Sequence, residues 1–342
     1  MQTVNISSNM ANNKLENFLK KLFLTAGVIV VLYIVNAWYA GELGRLFFLT
    51  RNPRLQLFTV VVVSLLLEAL PFTFVGSLMS GVIEIFVPEK VIKKIFSKKR
   101  ISGILAGCFA GLIFPVCSCG IIPVARRLLK KGMPVSGVVS YLLAAPIINP
   151  ISILSTAVAF RATRGIGIVF GRISFAFAVA FTISFLLGSH KREEILTERE
   201  SSCSAPGKYK SRFEAVFSHA ADEFLLVGRY VVFGTIIAGF FNAFVPRQAL
   251  VAIASGSFAS VAFMEILAVI LSMCSDSDAF VASSFIVLPA VSQVVFMTAG
   301  PMIGLARIIL YMGVFKKQFA VKMIIAVAAL IFAFGVAASL LF

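Results

Sequence analysis

Three cysteines hold most of the chemical potential of this chain. Cys117 and Cys119 lie in Pro115-Val-Cys117-Ser118-Cys119-Gly120, and Cys274 opens the string Cys274-Ser-Asp276-Ser-Asp278-Ala279-Phe280. Thiolates suit soft ions: Cu(I), Zn(II) and, by extension, trivalent arsenic or antimony. If the two strings meet, Cys117, Cys119 and Cys274 form a metal or metalloid site of two or three sulfurs. Close helix packing by small side chains explains the same residues, as does a role in binding some other polar solute. Asp276 and Asp278 are solvated acids if they lie in an exposed loop; at a buried tip they carry protons or balance a cation. Glu265 precedes Asp276 by eleven residues, three helical turns, which puts both on one face. Glu68, inside an apolar stretch, joins Glu265 and Asp278 as a proton-coupling candidate. Helix N-termini just beyond the two strings favour an anion instead, so the charge of the solute stays open.

The elements that position these residues are membrane helices. The chain has 342 residues, 59% hydrophobic, against 45–50% in soluble proteins. Apolar stretches of about 20 residues recur from Leu22 to Phe342, each able to cross about 30 Å of hydrocarbon. The net charge of +16 is assigned to short basic loops on the cytoplasmic side rather than to nucleic-acid binding. Five cysteines, an odd number mostly inside apolar runs, make no disulfide framework. Cys108 reads as a small core hydrophobe, and Cys203 as incidental.

Taken in order, residues 1–56 form an N-terminal arm and a first span near Leu22–Ala40. Leu57–Val87 is one long helix with Pro71 as a kink, and Glu84 is interfacial. The basic loop after it, with Lys90, Lys98 and Arg100, is cytoplasmic. So is the cluster Arg126, Arg127, Lys130 and Lys131, a few residues beyond the cysteine pair. A single helix cannot join two loops on one side. Ile101–Val116 reaches about 24 Å as a helix, and an extended return of about seven residues covers about 23 Å. The segment is therefore a re-entrant hairpin with Cys117–Gly120 at its tip. Met133–Phe160 then crosses outward, interrupted at Ala145-Pro146-Ile-Ile-Asn149-Pro150. Two prolines around an Asn unwind a helix and free its carbonyls for a solute, or merely kink it. Ile166–Gly188 returns, and residues 189–221 are a polar linker.

Residues 57–188 recur as residues 222–342. Gly76, Gly81 and Pro88 match Gly234, Gly239 and Pro246 at an offset of 158. Cys117-Ser118 matches Cys274-Ser275 at 157, and Pro146 and Phe160 match Pro301 and Phe315 at 155. Such drift in order marks an internal repeat. Three crossings per repeat make the two halves inverted, an arrangement of secondary transporters with the site at the midplane. In the second half, helix is expected to run from Phe280 through Pro289 and Pro301 to Lys316.

The expected fold class is all-α: a polytopic helical bundle of two inverted repeats with broken or re-entrant helices. Its substrate-binding set is Cys117, Ser118, Cys119, Gly120, Pro146, Asn149, Pro150, Cys274, Asp276 and Asp278. The strings around Cys117, Asn149 and Cys274, spread from about Phe58 to Phe315, resemble the predicted-permease family that includes the organoarsenical exporter ArsP. That resemblance implies a bacterial cytoplasmic-membrane permease whose exporter branch binds trivalent arsenicals through cysteines. Some members are linked to copper or zinc. The reading is an exporter of a small thiophilic solute. The alternatives are a permease for a small anion, or a membrane partner subunit that scaffolds a larger complex. No cofactor or nucleic acid is expected, and a homo-oligomer or partner protein is allowed. With no nucleotide-binding loop and only His190 and His219, neither ATP hydrolysis nor a histidine metal site in the membrane is expected, so the chain is not read as an enzyme.

Overall fold

The computed structural model describes residues 53–95, 100–113, 119–161, 165–189, 195, 212–244, 257–285 and 288–341. Two compact units are present, Met1–Thr59 and Val60–Phe342. The described part of the first is only the opening turns of α1, and everything below concerns the second. The expected first span, Lys98, Cys117, Ser118, His190 and Cys203 lie outside the described residues.

All described elements are helices. The first half runs α1 (Pro53–Phe86), α2 (Glu89–Ile95), α3 (Arg100–Ile113), α4 (Ile121–Lys130), α5 (Val135–Ala144), α6 (Pro150–Ala159) and α7 (Gly165–Leu187). The second runs α8 (Arg212–Phe244), α9 (Ser257–Leu271), α10 (Asp278–Ser284), α11 (Ala290–Ile303), α12 (Leu305–Val314) and α13 (Lys317–Leu341). With α2 aside, each helix of the first half has a counterpart of similar length in the second. The packing recurs too: α3 on α5 as α9 on α11, α5 on α7 as α11 on α13, and α4 on α5 as α10 on α11. On α1, Phe74 meets Phe224 of α8 with ring centroids 5.8 Å apart. About two turns on, a Cβ at Gly81 would sit 2.6 Å from the Val216 carbonyl oxygen. Advancing along α1 means retreating along α8, so the two are antiparallel.

Five of these helical stretches are long and apolar enough to cross a membrane. The whole of α5 is buried, as is α11 from Ser292 to Ile303, whereas Leu154, Ile166, Phe170 and Ile325 are largely exposed. Apolar surface on that scale belongs against lipid. Two inner helices, α5 and α11, thus form the core, and α1, α7 and α13 face outward.

The first hairpin is present, but its return leg is helical rather than extended. An isolated strand would leave its backbone groups without partners at membrane depth, and a helix satisfies them internally. At its end, Gly132 takes φ 94°, Gly132 N–H donates to Leu129 O and Met133 N–H to Leu128 O. This is a Schellman ending, which throws the chain straight into α5. The hairpin's two mouths lie together. Lys131 Nζ donates to Val87 O at the end of α1 (2.7 Å). Arg100 donates to Ser189 Oγ at the end of α7 (3.1 Å), whose Gly188 abuts Ser136 of α5.

Two further expectations need correction. The helix does not run unbroken from Phe280 to Lys316. It stops at Ser284, restarts after Pro289, and breaks at Gly304, which adopts φ −55°, ψ 149°. Proline lacks the N–H needed to continue a helix, so Pro289 suits an N-cap. The polar linker is also shorter than expected, because α8 begins at Arg212 and takes His219 into a buried helix.

Gly76 fixes the hairpin's depth. An added Cβ there would lie 2.3 Å from Gly120 O and 2.6 Å from Gly120 Cα; these are backbone atoms that cannot swing away. Gly76→Val should therefore displace the tip and cost about 1–3 kcal/mol or more, read as a lower melting temperature in detergent. Gly167→Ala, where nothing lies within 4 Å, should leave it unchanged or slightly raised.

Candidate functional site

The tips of the two hairpins meet. Cys119 and Gly120 of the first, and Ser272 and Cys274 of the second, come together where α1, α8 and α12 converge. Cys119, Thr235, Ser272, Cys274 and Arg307 supply the polar lining of a cavity there, among Leu65, Ala69, Val231 and Leu310. Cys274 interacts electrostatically with Cys119, Glu68 and Arg307, and its thiol shares a hydrogen bond with Glu68. Two of the three expected thiols thus share one cavity. Among the described residues, no three His, Cys, Asp or Glu side chains stand ready to hold a metal ion.

Backbone strain marks the second tip. Ser272 sits at φ 48°, a left-handed conformation that costs a non-glycine residue about 1–2 kcal/mol. In that position its Oγ accepts a hydrogen bond from Ala306 N–H (3.0 Å), capping the first turn of α12. The neighbouring Gly304 leaves room for this, since a Cβ there would strike Ser272 Oγ at 2.8 Å. Tip and broken helix are therefore built as one piece.

The other side of the tip is closed by a buried ion pair that the sequence reading missed. Arg172 of α7 donates to Asp278 Oδ2 (2.8 Å), Thr156 Oγ1 (2.6 Å), Ser275 O (3.0 Å) and Met297 O (3.1 Å). Arg172 and Asp278 are 2% and 0% exposed, so the pair is fully desolvated. Asp278 is thus engaged by a guanidinium. Asp276 lies 2.6 Å from Ser152 Oγ, at the start of α6. A first-half helix and a first-half broken segment therefore hold the second-half tip.

The remaining expected residues have plainer duties. Asn149 is the N-cap of α6, its Oδ1 accepting from Ile151 N–H (3.0 Å), with Pro150 at the first position. That combination is a standard helix start. The Pro146 carbonyl oxygen lies 2.9 Å from Ser152 Oγ. None of Pro146, Asn149 and Pro150 lines the cavity. Glu265 is buried on α9 and makes no hydrogen bond or ion pair with a described residue. Cys108 is wholly buried in the core.

At the mouth of the first hairpin, Arg126 and Arg127 are not loop cations but buried residues of α4. Arg126 pairs with Glu223 of α8 at 3.3 Å. Arg127 reaches Glu223 at 3.4 Å and Glu84 of α1 at 3.3 Å. Lys131 Nζ lies 3.8 Å from Glu84. Burial lowers the Lys131 ammonium from its ordinary pKa, and Glu84 opposes that shift. Glu84, read as interfacial, is in fact part of this network. Sequence carried a signal for Arg172 and Arg307, since each is a lone arginine deep in an apolar run, and intramembrane charge is a functional mark by default.

Five helical stretches long and apolar enough to cross a membrane, with broken helices whose tips meet at one cavity, describe a polytopic helical membrane protein. The chain belongs to the predicted-permease family, whose model matches residues 54–340. It is 36% identical over 277 residues to the UPF0718 protein YcgR of Bacillus subtilis (strain 168), covering 80% of this chain and 94% of that one. It is 35% identical over 269 residues, 77% of this chain and 89% of the other, to a Streptococcus mutans protein named "Putative two-component membrane permease complex subunit". No solved structure matches.

Proposed function

We propose that this permease is a secondary transporter of the bacterial cytoplasmic membrane, which exports a small thiophilic solute such as a trivalent arsenical or a soft metal ion. Residues 57–188 and 222–342 act as its two inverted repeats. The observation that carries the reading is the meeting of Cys119 and Cys274, one from each half, in a single cavity whose walls are otherwise mostly apolar. Soft thiol ligands at the centre of two inverted repeats suit a thiophilic cargo. Cys117 precedes Cys119 by two residues in the sequence and is the third thiol of the reading. Reconstituted into liposomes, the protein should move phenylarsine oxide or Cu(I) across the bilayer. Cys119→Ser and Cys274→Ser should each cut that transport about tenfold or more, and the double variant should lose little more, as residues sharing one ligand do. Cys108→Ser should be neutral. Full transport by the double variant would end the thiol mechanism.

The name of the Streptococcus mutans relative favours a second reading, in which the chain works as one subunit of a two-component permease. Inactivity of the purified chain, with transport restored by co-reconstituted membrane extract, would select it.

A further inference from the structure

Arg307 is the one cation among the described residues that line the cavity, and it stands in an unusual position. It is 6% exposed and is the third residue of α12, just past the break at Gly304. Its described hydrogen bond runs from Nη1 to the Gly300 carbonyl oxygen. Nε has no partner among the described residues, and no described carboxylate lies within ion-pairing distance. The contrast with Arg172 is instructive. At the offset of 155 that aligns Phe160 with Phe315, Arg172 falls on Val327 and Arg307 on Ser152. Arg172 and Arg307 thus stand at unrelated positions of the two halves. Arg172 is neutralised by Asp278 at 2.8 Å. Nearby Asp278 is committed to that pair, and Glu68 shares its hydrogen bond with Cys274. Asp278 acts on Arg307 only at longer range, and a desolvated guanidinium with no carboxylate in contact is costly. The N-terminal end of α12, with Ala306 on the cavity wall, adds the positive end of a helix dipole.

We propose that Arg307 and the start of α12 bind an anionic oxyacid group of the transported solute, a carboxylate or phosphonate, while the thiols hold its soft end. This deepens the thiol reading above and adds to it a charge requirement. The cavity becomes a two-point site: sulfur ligands on the tips, a planar guanidinium on the broken helix, suited to bidentate oxyanion recognition.

The test uses two arsenicals that differ by one charge, phenylarsine oxide and its 4-carboxy derivative, with binding to the detergent-purified full chain measured by calorimetry. Wild type should bind the carboxylate form about tenfold tighter or more, the range of a charge-assisted hydrogen bond. Arg307→Gln should bring the two affinities together, and Arg307→Lys should keep most of the preference. If Arg307→Gln aggregates, Arg307→Met gives the same neutral comparison. Equal affinities in wild type, or a preference that survives in Arg307→Gln, would overturn the proposal. If wild type binds neither arsenical, the thiol reading fails alone, and phenylphosphonate decides the anion site. Binding that Arg307→Gln abolishes keeps the site; no binding ends it.

Discussion

Asp278→Ala should yield little or no folded protein, and Arg172→Leu should fare almost as badly. Each change removes one member of a pair that is 2% and 0% exposed, leaving an opposite charge in a medium of low dielectric. Breaking a buried pair in this way costs about 3–5 kcal/mol, a large share of any domain's stability. The double variant Arg172→Leu/Asp278→Ala should recover much of the loss, because neither charge then needs a partner. Recovery should be incomplete. Arg172 also serves Ser275 O, Met297 O and Thr156 Oγ1, and each acceptor left without a donor costs about 1–3 kcal/mol. Yield and monodispersity by size exclusion, with melting in detergent, rank the four proteins. Single variants as stable as wild type would mean that the pair does not hold the second tip.

Such a clamp could not be read from the sequence, although its context could. Membrane helices follow from the length and apolarity of the runs. The first hairpin follows from two basic clusters flanking a segment too short to cross and return otherwise. The drift in offsets pointed to the repeat because both halves keep their Gly and Pro positions. What failed was the assumption that charges mark loops. Arg126 and Arg127 look like the end of a hairpin, yet α4 carries them into the protein, where Glu84 and Glu223 meet them. Those carboxylates lie 42 or more residues away in sequence, and only tertiary packing joins them. Asn149 shows the limit of reading residue type alone. A polar residue between prolines at membrane depth resembles a solute ligand, and helix capping asks for the same residue type.

The two halves have diverged around a shared plan. Ser152 and Arg307 occupy equivalent places just past the break of their helices, as do Thr156 and Tyr311. In the first half Ser152 meets Asp276 of the opposite tip. In the second, Arg307 lines a cavity shared with Cys119, which is the residue equivalent to Asp276 at the offset of 157. One crossing of tip and broken helix is closed by hydrogen bonds; the other is left with room, thiols and a cation.

Glu223→Ala should have the second-largest effect on stability, well above that of Glu84→Ala. Glu223 is 4% exposed and is the carboxylate that Arg126 and Arg127 share. Removing it takes a counter-charge from two buried guanidiniums at once, and a loss of about 3–5 kcal/mol is expected. The Glu84 side chain is 30% exposed, so water screens it. Its removal leaves Arg127 with Glu223, and about 1 kcal/mol or less is expected. The network ties α4 of the first half to α8 of the second, so Glu223→Ala should also loosen the first hairpin from its neighbour. Exchange of the α4 amide protons, followed by mass spectrometry, should accelerate in Glu223→Ala and stay near wild type in Glu84→Ala. An equal loss in the two variants would mean that burial does not set the strength of this network, and that α4 is held instead by its apolar contacts with α5.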